Sequence, residues 1–587
     1  MKKLVAMLLC VCMLSTMCLA AFADTYTGTG AGKNGEGSIE VAVTVEDGVI
    51  TAVEVTNNGD DAGISDPAVE KLPAAIVEAN SLAVDTVGGA TLTSGGILAA
   101  VEAALVEAGL NPDDYKGEIA AQEVEKTAET QDVEVLVVGA GIAGYAAALA
   151  AKEAGSEVVL IDKMALVGGT TNLAGGILVC IDSELFADNR LESDSLDAVL
   201  NYWKAHMSAS GVESGYPDYD RLSRVLADTG ATVDWLVANN IVFDATPYPA
   251  SATYPMALAN GGGAGLIQML AAQAEKVGIT LITECKATAL CTDENGAVVG
   301  AVAETADKVI TFQAKSVVLA TGGISQNEEL VAKYSPKLHR AGLVPTSAVS
   351  HTGDGFLMAL EVGAGTFDVF STPLFSTTVD PALSDATGLD IYAQLGVNAN
   401  GVRFGNEAIS AGWDTMDYTA SDMIQDGNAP FWYVYDSSNP DVTAVLEKGV
   451  AEGVIAKGET IEELALNMHV YTANLVQTVA DYNAAAAAGE DTAFGKPAAF
   501  LTAIEAAPFY AVKVYPTTFG SAGGVTTTED GRVTRQDGTV IPGLYAAGEM
   551  SNRYYYNENY ILAASLALYS TMGRRAGTSA AQDAQAK

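Results

Sequence analysis

The stretch Val133–Lys163, VEVLVVGAGIAGYAAALAAKEAGSEVVLIDK, constrains the fold more than any other part of the chain. An apolar run ends in GAGIAG, a small-residue helical segment follows, and a second apolar run ends in an acid, Asp162. This is the order of a βαβ dinucleotide-binding unit. Gly139 allows the tight turn off the strand, Gly141 lets the backbone approach a pyrophosphate, and Gly144 lets helix and strand pack closely. The helix start offers unpaired N–H groups and partial positive charge to phosphate. Asp162 stands where a carboxylate accepts hydrogen bonds from the adenosine ribose.

A chain of 587 residues, 49% of them hydrophobic, has material for several domains with packed cores. The formal net charge of −43 argues against nucleic acid or an anionic membrane as partner. The first 23 residues read as a signal peptide: a basic start at Lys2 and Lys3, an apolar run Leu4–Leu19, and Ala21-Phe22-Ala23 as cleavage site before Asp24. Export to the periplasm, cell envelope or extracellular space is the expectation. It leaves Cys180, Cys285 and Cys291, an odd number that suggests buried thiols rather than a disulfide framework. With four histidines and no Cys/His cluster at ligand spacing, no metal site is expected.

Residues 24–115 read as a compact unit. Ile39, Val41, Val43 and Val45 alternate with polar residues before the turn Glu46-Asp47-Gly48, and Ile50–Val55 continue as the second strand of a hairpin. Helices are expected at 68–79 and 97–108. Residues 116–131, charged and Ala-rich without an apolar face, read as a linker. From 132 onward the pattern is α/β, with strands near 133–138, 157–161, 279–283, 297–303, 309–311 and 316–320. Residues 370–505 read as a mixed α+β insert, after which the chain returns to the first sheet with Phe509–Val514 and 541–550.

Two further groups of motifs carry resemblances. Asp85–Ser94, DTVGGATLTS, resembles the flavinylation motif of FMN-binding domains, as does the whole 24–115 unit. The resemblance implies that the phosphate of FMN is esterified to Thr91, with Asp85 in the site recognised by the attaching flavin transferase. Gly88 departs from the Ser or Thr usual in the family. By composition alone, Thr93 and Ser94 suit a helix N-cap. From 132 to 587 the βαβ unit, Gly168-Gly169-Thr170-Thr171-Asn172, Gly175-Gly176, Ala320-Thr321-Gly322-Gly323, Gly353-Asp354-Gly355 and Ala546-Ala547-Gly548-Glu549 resemble, in order and spacing, the flavoprotein family of fumarate reductases, soluble flavocytochromes and urocanate reductases. The implied fold is α/β: a doubly wound, Rossmann-like FAD-binding domain (132–369 and 506–587), an inserted α+β clamp or capping domain (370–505), and a small α+β FMN-binding domain in front. The implied contacts of non-covalent FAD are Gly139, Gly141, Ala143, Gly144, Asp162, Lys163, Gly169, Thr170, Thr171, Gly175, Ala320, Thr321, Gly322, Gly323, Asp354, Glu549, Ser565 and Leu566.

The family's catalytic residues have no counterpart. Its His-Pro-Thr falls near Phe375-Ser376-Thr377, its Arg-Gly-x-Gly near Asp390–Ala393, its proton-donating arginine at Ala411, its second histidine near Phe519 or Gly520, and its carboxylate-binding arginine at Tyr560. A diacid needs two cationic clamps, so fumarate is disfavoured. In their place stands Arg553-Tyr554-Tyr555-Tyr556-Asn557-Glu558-Asn559-Tyr560. Tyr555, Tyr556 and Tyr560 are candidate proton donors and aromatic walls, with Arg553 to hold one carboxylate. The expected activity is that of an exported reductase: FMN takes electrons from a membrane or extracellular donor, passes them to FAD, and the C=C bond of a planar, α,β-unsaturated carboxylate is reduced. The alternatives are a dehydrogenase like those acting on ketosteroids, and a non-catalytic flavin electron carrier.

Overall fold

The computed structural model describes residues 24–46, 48–60, 65–84, 86–87, 90–117, 126–209, 215–248, 254–371, 375–378, 394–407, 429–557, 561 and 563–587. Residues 1–23, read as a signal peptide, and Asp85, Asp390, Ala411 and Tyr560 lie outside the described residues. The chain divides into two units, Met1–Val124 and Glu125–Lys587.

In the first unit, β1 (Asp24–Gly32), β2 (Gly35–Glu46) and β3 (Val49–Asn58) form an antiparallel sheet in that order. The hairpin is β2–β3. Ile39, Val41 and Val43 point to one face, as a period of two requires, and pack under α1 (Asp66–Ala79) and α2 (Thr91–Glu107) with Ile97, Val101 and Leu105. Helix α2 starts six residues earlier than the sequence reading placed it. Gly95 and Gly96 disguise its first turns, but they serve the crossing over β1: a Cβ at Gly30 would lie 2.0 Å from Gly96 O, and one at Gly28 1.9 Å from Ala100 O.

The second unit is built on an eight-stranded sheet whose main path runs 532–534, 540–546, 308–319, β4 (Thr127–Val138), β5 (Val158–Ile161), 280–282. From 540–546 to 280–282 the pairings are parallel, which needs a crossover between each pair of strands and produces the doubly wound form. Helix α3 (Ile142–Glu153) makes the first crossover. Strands 298–304 and 286–292 extend the sheet antiparallel from 308–319. Residues 127–131, read as linker, are instead the first half of β4, paired with Lys308–Phe312 of the continuous strand 308–319. They carry no apolar signal because this half of β4 is largely exposed.

A second, six-stranded sheet, ordered 344–345, 509–518, 431–435, 395–397 with 375–378 and 455–458 also paired to 509–518, joins strands of the insert to two that flank it. Phe509–Thr518 is therefore its central strand and not a return to the first sheet. Its near-continuous burial is what a strand paired on both edges needs. Beside it Arg403 binds Glu407 through two hydrogen bonds of 2.7 Å and Asp491 at 2.8 Å. Lys496 donates to Gln394 O at 2.7 Å and Tyr482 OH at 3.0 Å. These buried groups fix the segment Arg403–Glu407 by mutual pairing. Among the described residues, no helix is long and apolar enough to cross a membrane.

Candidate functional site

The site begins at the end of β4. Gly139 turns with φ +100°, a conformation L side chains avoid, and a Cβ there would lie 2.3 Å from Ala320 O. Gly141 caps α3 without a side chain, and of the first N–H groups Ile142 N reaches Thr171 Oγ1 at 3.4 Å while the next ones are left to an external acceptor. Asp162, just after β5, accepts Ala140 N at 2.8 Å on one carboxylate oxygen and Met164 N at 2.9 Å on the other. Each oxygen keeps a lone pair for a hydroxyl donor. Burial pushes this carboxyl above its ordinary value against those two bonds.

These groups line a cavity of about 400 Å³. The turn and the start of α3 contribute Gly139, Gly141 and Ala143, and the residues just after β5 contribute Asp162 and Lys163. Gly169, Thr170, Thr171, Gly175, Ala320, Thr321, Gly322, Asp354, Glu549, Ser565 and Leu566 complete the set expected from sequence. Gly144 and Gly323 stand behind the wall. A Cβ at Gly144 would lie 1.8 Å from Gly139 O, and one at Gly323 2.3 Å from a Glu549 carboxylate oxygen. The bare glycine backbone, free helix N–H groups and ribose-ready carboxylate fit a dinucleotide.

The wall also holds polar groups that the sequence reading did not single out. His351 and Tyr569 both line the cavity. Lys163 Nζ reaches Asp354 at 2.5 Å and Thr352 at 2.6 Å. Burial alone would raise the Asp354 carboxyl, and the Lys163 ammonium and Thr352 hydroxyl hold it below its ordinary value. His351 Nε2 bonds Thr170 Oγ1 at 3.1 Å, and its Nδ1 lies 3.5 Å from Glu549 Oε2. Burial, helped by the Lys163 charge, lowers His351 to about 4, while burial raises Glu549 to about 8 against one bond from Ser521 N. Although the two stand at ion-pair distance, burial favours the uncharged form of each. The stability consequence has two opposed parts. Between about 4 and 6.5 the folded chain binds fewer protons at His351 than the unfolded chain, so stability rises with pH. Between about 4.5 and 8 it binds more at Glu549, so stability falls as pH rises.

Tyr569 sits on the C-terminal helix Ala564–Gln585, whose start carries Ser565 and Leu566. Its hydroxyl accepts Asn552 Nδ2 at 2.7 Å, and burial, then the nearby Glu549, pushes it well above the ordinary tyrosine value. Ser565 Oγ is 2.9 Å from Tyr556 OH, so Tyr556 reaches the cavity through Ser565 without lining it.

The rest of the tyrosine segment corrects the sequence reading. Arg553 does not face the cavity: Nη1 donates to Tyr556 O at 2.6 Å, Nε to Val369 O at 3.1 Å, and the guanidinium lies 4.4 Å from the Tyr216 ring centroid. Tyr555 is buried, its hydroxyl accepting Arg221 Nε at 3.3 Å and its carbonyl Trp203 Nε1 at 3.1 Å. Both side chains order the turn that carries Tyr556, and neither lines the cavity. Tyr560 lies outside the described residues.

In the first unit Thr91 is exposed at the first position of α2. Thr93 and Ser94 are not caps. Thr93 Oγ1 donates to Asp60 at 2.7 Å, and Ser94 Oγ accepts Val87 N at 3.1 Å. Cys180 and Cys285 are buried and Cys291 half-buried, all three free. Among the described residues no group of His, Cys, Asp or Glu is arranged to hold a metal ion.

Residues 134–559 match a family model described as an FAD binding domain, and 32–106 match one described as an FMN-binding domain. A urocanate reductase of Eggerthella lenta is 31% identical, over 95% of this chain and 92% of its own length. The open conformation of a flavocytochrome c3 fumarate reductase superposes with a TM-score of 0.60 at 28% identity, covering 77% of this chain and 79% of that one. A 3-ketosteroid-Δ4-(5α)-dehydrogenase of Rhodococcus jostii does so with 0.58 at 26% identity, covering 79% of this chain and 98% of its own.

Proposed function

This chain belongs to the FAD-dependent flavoprotein family of fumarate and urocanate reductases and carries an FMN-binding domain in front, and from that premise we propose an exported reductase that draws electrons through FMN on Thr91 and reduces the C=C bond of a planar, urocanate-like carboxylate. It is an FAD-dependent reductase acting on C=C bonds. When bound, FAD supplies hydride chemistry at such a bond, and FMN supplies electrons from the donor side. The chain's own groups bind and orient. The free N–H groups at the start of α3 take the pyrophosphate, Asp162 takes ribose hydroxyls, and the glycine backbone leaves room for the ring.

The observation that carries the reading is the pair of tyrosines around the start of the C-terminal helix: Tyr569 lines the cavity, and Tyr556 is hydrogen-bonded behind Ser565. An aromatic wall suits a planar substrate, and a phenol is an acid for carbon. The proton donor is assigned to Tyr560, with Tyr556 as the residue that positions Ser565. Tyr560→Phe lowers enoate turnover by roughly 10²-fold, the scale for loss of a general acid, and Tyr556→Phe by roughly tenfold, with FAD content unchanged in both. Full kcat in both variants removes the phenols from the chemistry.

Fumarate is a poor substrate in this reading, because neither family clamp for a second carboxylate is present in the sequence. Two missing charged hydrogen bonds at about 1.5–3 kcal/mol each put its turnover roughly 10²-fold or more below that of the best enoate. Oxidation of a reduced dye, followed with a panel of enoates that includes urocanate and fumarate, tests this. Fumarate matching the best of them overturns the substrate class. A second reading, removal of hydrogen from a ring ketone, is supported by the likeness to the ketosteroid dehydrogenase. Dye reduction by ketosteroids with no enoate turnover would favour it.

A further inference from the structure

In the first unit the carboxylate of Asp60 is shared by segments that are far apart in sequence. One oxygen accepts Lys33 N at 2.9 Å and Thr93 Oγ1 at 2.7 Å, and the other accepts Asn34 N at 3.0 Å. The turn after β1, the loop after β3 and the first turn of α2 therefore meet on one side chain, which is only 8% exposed. The backbone is shaped around it. A Cβ at Gly32 would lie 2.3 Å from an Asp60 oxygen, Gly32 N donates to Ser38 Oγ at 2.9 Å, and Asn34 Nδ2 reaches back to Gly59 O at 2.8 Å. With a backbone N–H on each oxygen, an amide in either orientation would turn its own NH₂ against a donor, and a carboxylate satisfies both.

The hydroxyl bound to this carboxylate lies on the face of α2 opposite Thr91. At about 3.6 residues per turn, Thr93 stands about 200° around the helix from Thr91. Thr93 and Ser94 are buried, while Thr91, Leu92, Gly95 and Ala99 are exposed. Anchoring Thr93 thus turns the Thr91 hydroxyl outward. A second tie holds the residues in front of it: Ser94 Oγ accepts Val87 N at 3.1 Å, and Ala90 N donates to Val87 O at 3.0 Å. The N-cap, Ala90, makes no side-chain bond to the helix, so the rotation of its first turn is set by these two contacts.

We propose that Asp60, acting through Thr93, is a positioning residue for flavin attachment, holding the first turn of α2 in the rotation at which the Thr91 hydroxyl meets the phosphate of the incoming flavin. This rests on the reading of Thr91 as the attachment site. With a flavin dinucleotide as donor, the Thr91 Oγ1–P bond forms, the pyrophosphate P–O bond breaks, and the nucleoside monophosphate leaves with the hydroxyl proton. Asp60 takes no part in these bonds. It acts on the direction of the nucleophile, and a reacting atom displaced by about an ångström loses roughly 10²-fold in rate. Burial of both Asp60 and Thr93 keeps the transferase from touching either side chain in the folded unit.

Intact mass followed in time, with the full chain, FAD as donor and purified flavin transferase, gives kcat and KM for attachment. Expected for Thr93→Val and for Asp60→Asn is a kcat lower by roughly 10- to 100-fold, with KM unchanged and an adduct that still reaches one FMN per chain. Thr93→Ser, which keeps the hydroxyl, restores the wild-type kcat. Loss of contact with the transferase would instead raise KM, and a partly unfolded first unit would leave part of the chain unmodified at the end point. Wild-type kcat in Thr93→Val, or a raised KM with kcat unchanged in both variants, overturns the proposal. If Asp60→Asn leaves unmodified chain at the end point, Thr93→Val decides, and if both do so the contact serves folding alone and the proposal falls. Wild type that gains no FMN overturns the reading of Thr91 itself.

Discussion

Thr91→Ala yields a protein with no covalent FMN. Thr91 opens α2 with its side chain exposed, and the N-cap before it is Ala90, whose methyl group cannot accept the first N–H groups of the helix. A phosphate esterified to the Thr91 hydroxyl therefore meets unpaired donors and the positive end of the helix dipole. The neighbouring hydroxyls are not substitutes. Thr93 is buried and donates to Asp60, whose carboxyl is held below its ordinary value, against the effect of burial, by the N–H of Asn34, by Thr93 and by the N–H of Lys33. Ser94 is buried and accepts the N–H of Val87. Intact mass after coexpression with a flavin transferase reads the result as all or none: wild type gains the mass of one FMN ester, and Thr91→Ala stays at the mass of its own chain. An adduct of equal size on the variant would remove Thr91 from the role.

What could be read from the sequence was what depends on local backbone geometry. Gly139 is a turn glycine wherever it is met, since its φ of +100° and its approach to Ala320 O follow from a strand turning into a helix. The acid after β5, the loop at Gly169 and the helix start at Ser565 follow at motif spacing, and they line one cavity. Partners across the chain could not be read in this way. Phe509–Thr518 is a strand by its apolar run, but periodicity does not say which sheet it joins. Residues 127–131 are a strand without an apolar face, because that half of β4 is held by pairing to 308–312 and not by burial.

The tyrosine segment illustrates the same limit at the scale of single side chains. Closeness in sequence to an expected site says nothing of direction, and a 3-10 turn at Arg553–Tyr555 sends successive side chains to different neighbours. Arg553 and Tyr555 went to core partners, and Tyr556 went to Ser565. Tyr569 was within reach of sequence reasoning. It follows Ser565 by four residues on a helix, so once Ser565 is assigned to the cavity the helical period brings Tyr569 to the same face. His351 gave no such signal beyond its place three residues before Asp354 in the loop that closes the wall.

Gly144→Val leaves the second unit without FAD. Helix α3 has no direction in which to yield. On one side Gly144 rests on the turn, where even a Cβ would lie 1.8 Å from Gly139 O. On the other the C-terminal helix approaches through Gly573 and Gly577, at which a Cβ would lie 2.2 Å from Ala143 O and 2.1 Å from Ala147 O. A side chain at 144 must therefore push the turn Gly139–Gly141 out of shape or force apart a pair of helices packed backbone to backbone. Overpacking of a closed core costs about 1–3 kcal/mol for added methylenes that find some space. Here the obstacle is backbone, and the backbone displaced is the one that receives the pyrophosphate. Expected is one FAD per chain released by acid from wild type and none retained by Gly144→Val after gel filtration. FMN should stay attached in both, because Thr91 belongs to the other unit. The retained FMN shows that the first unit has formed despite the loss in the second. Stoichiometric FAD in Gly144→Val would mean that α3 can move after all, and that the close packing at Gly144 is not what shapes the turn.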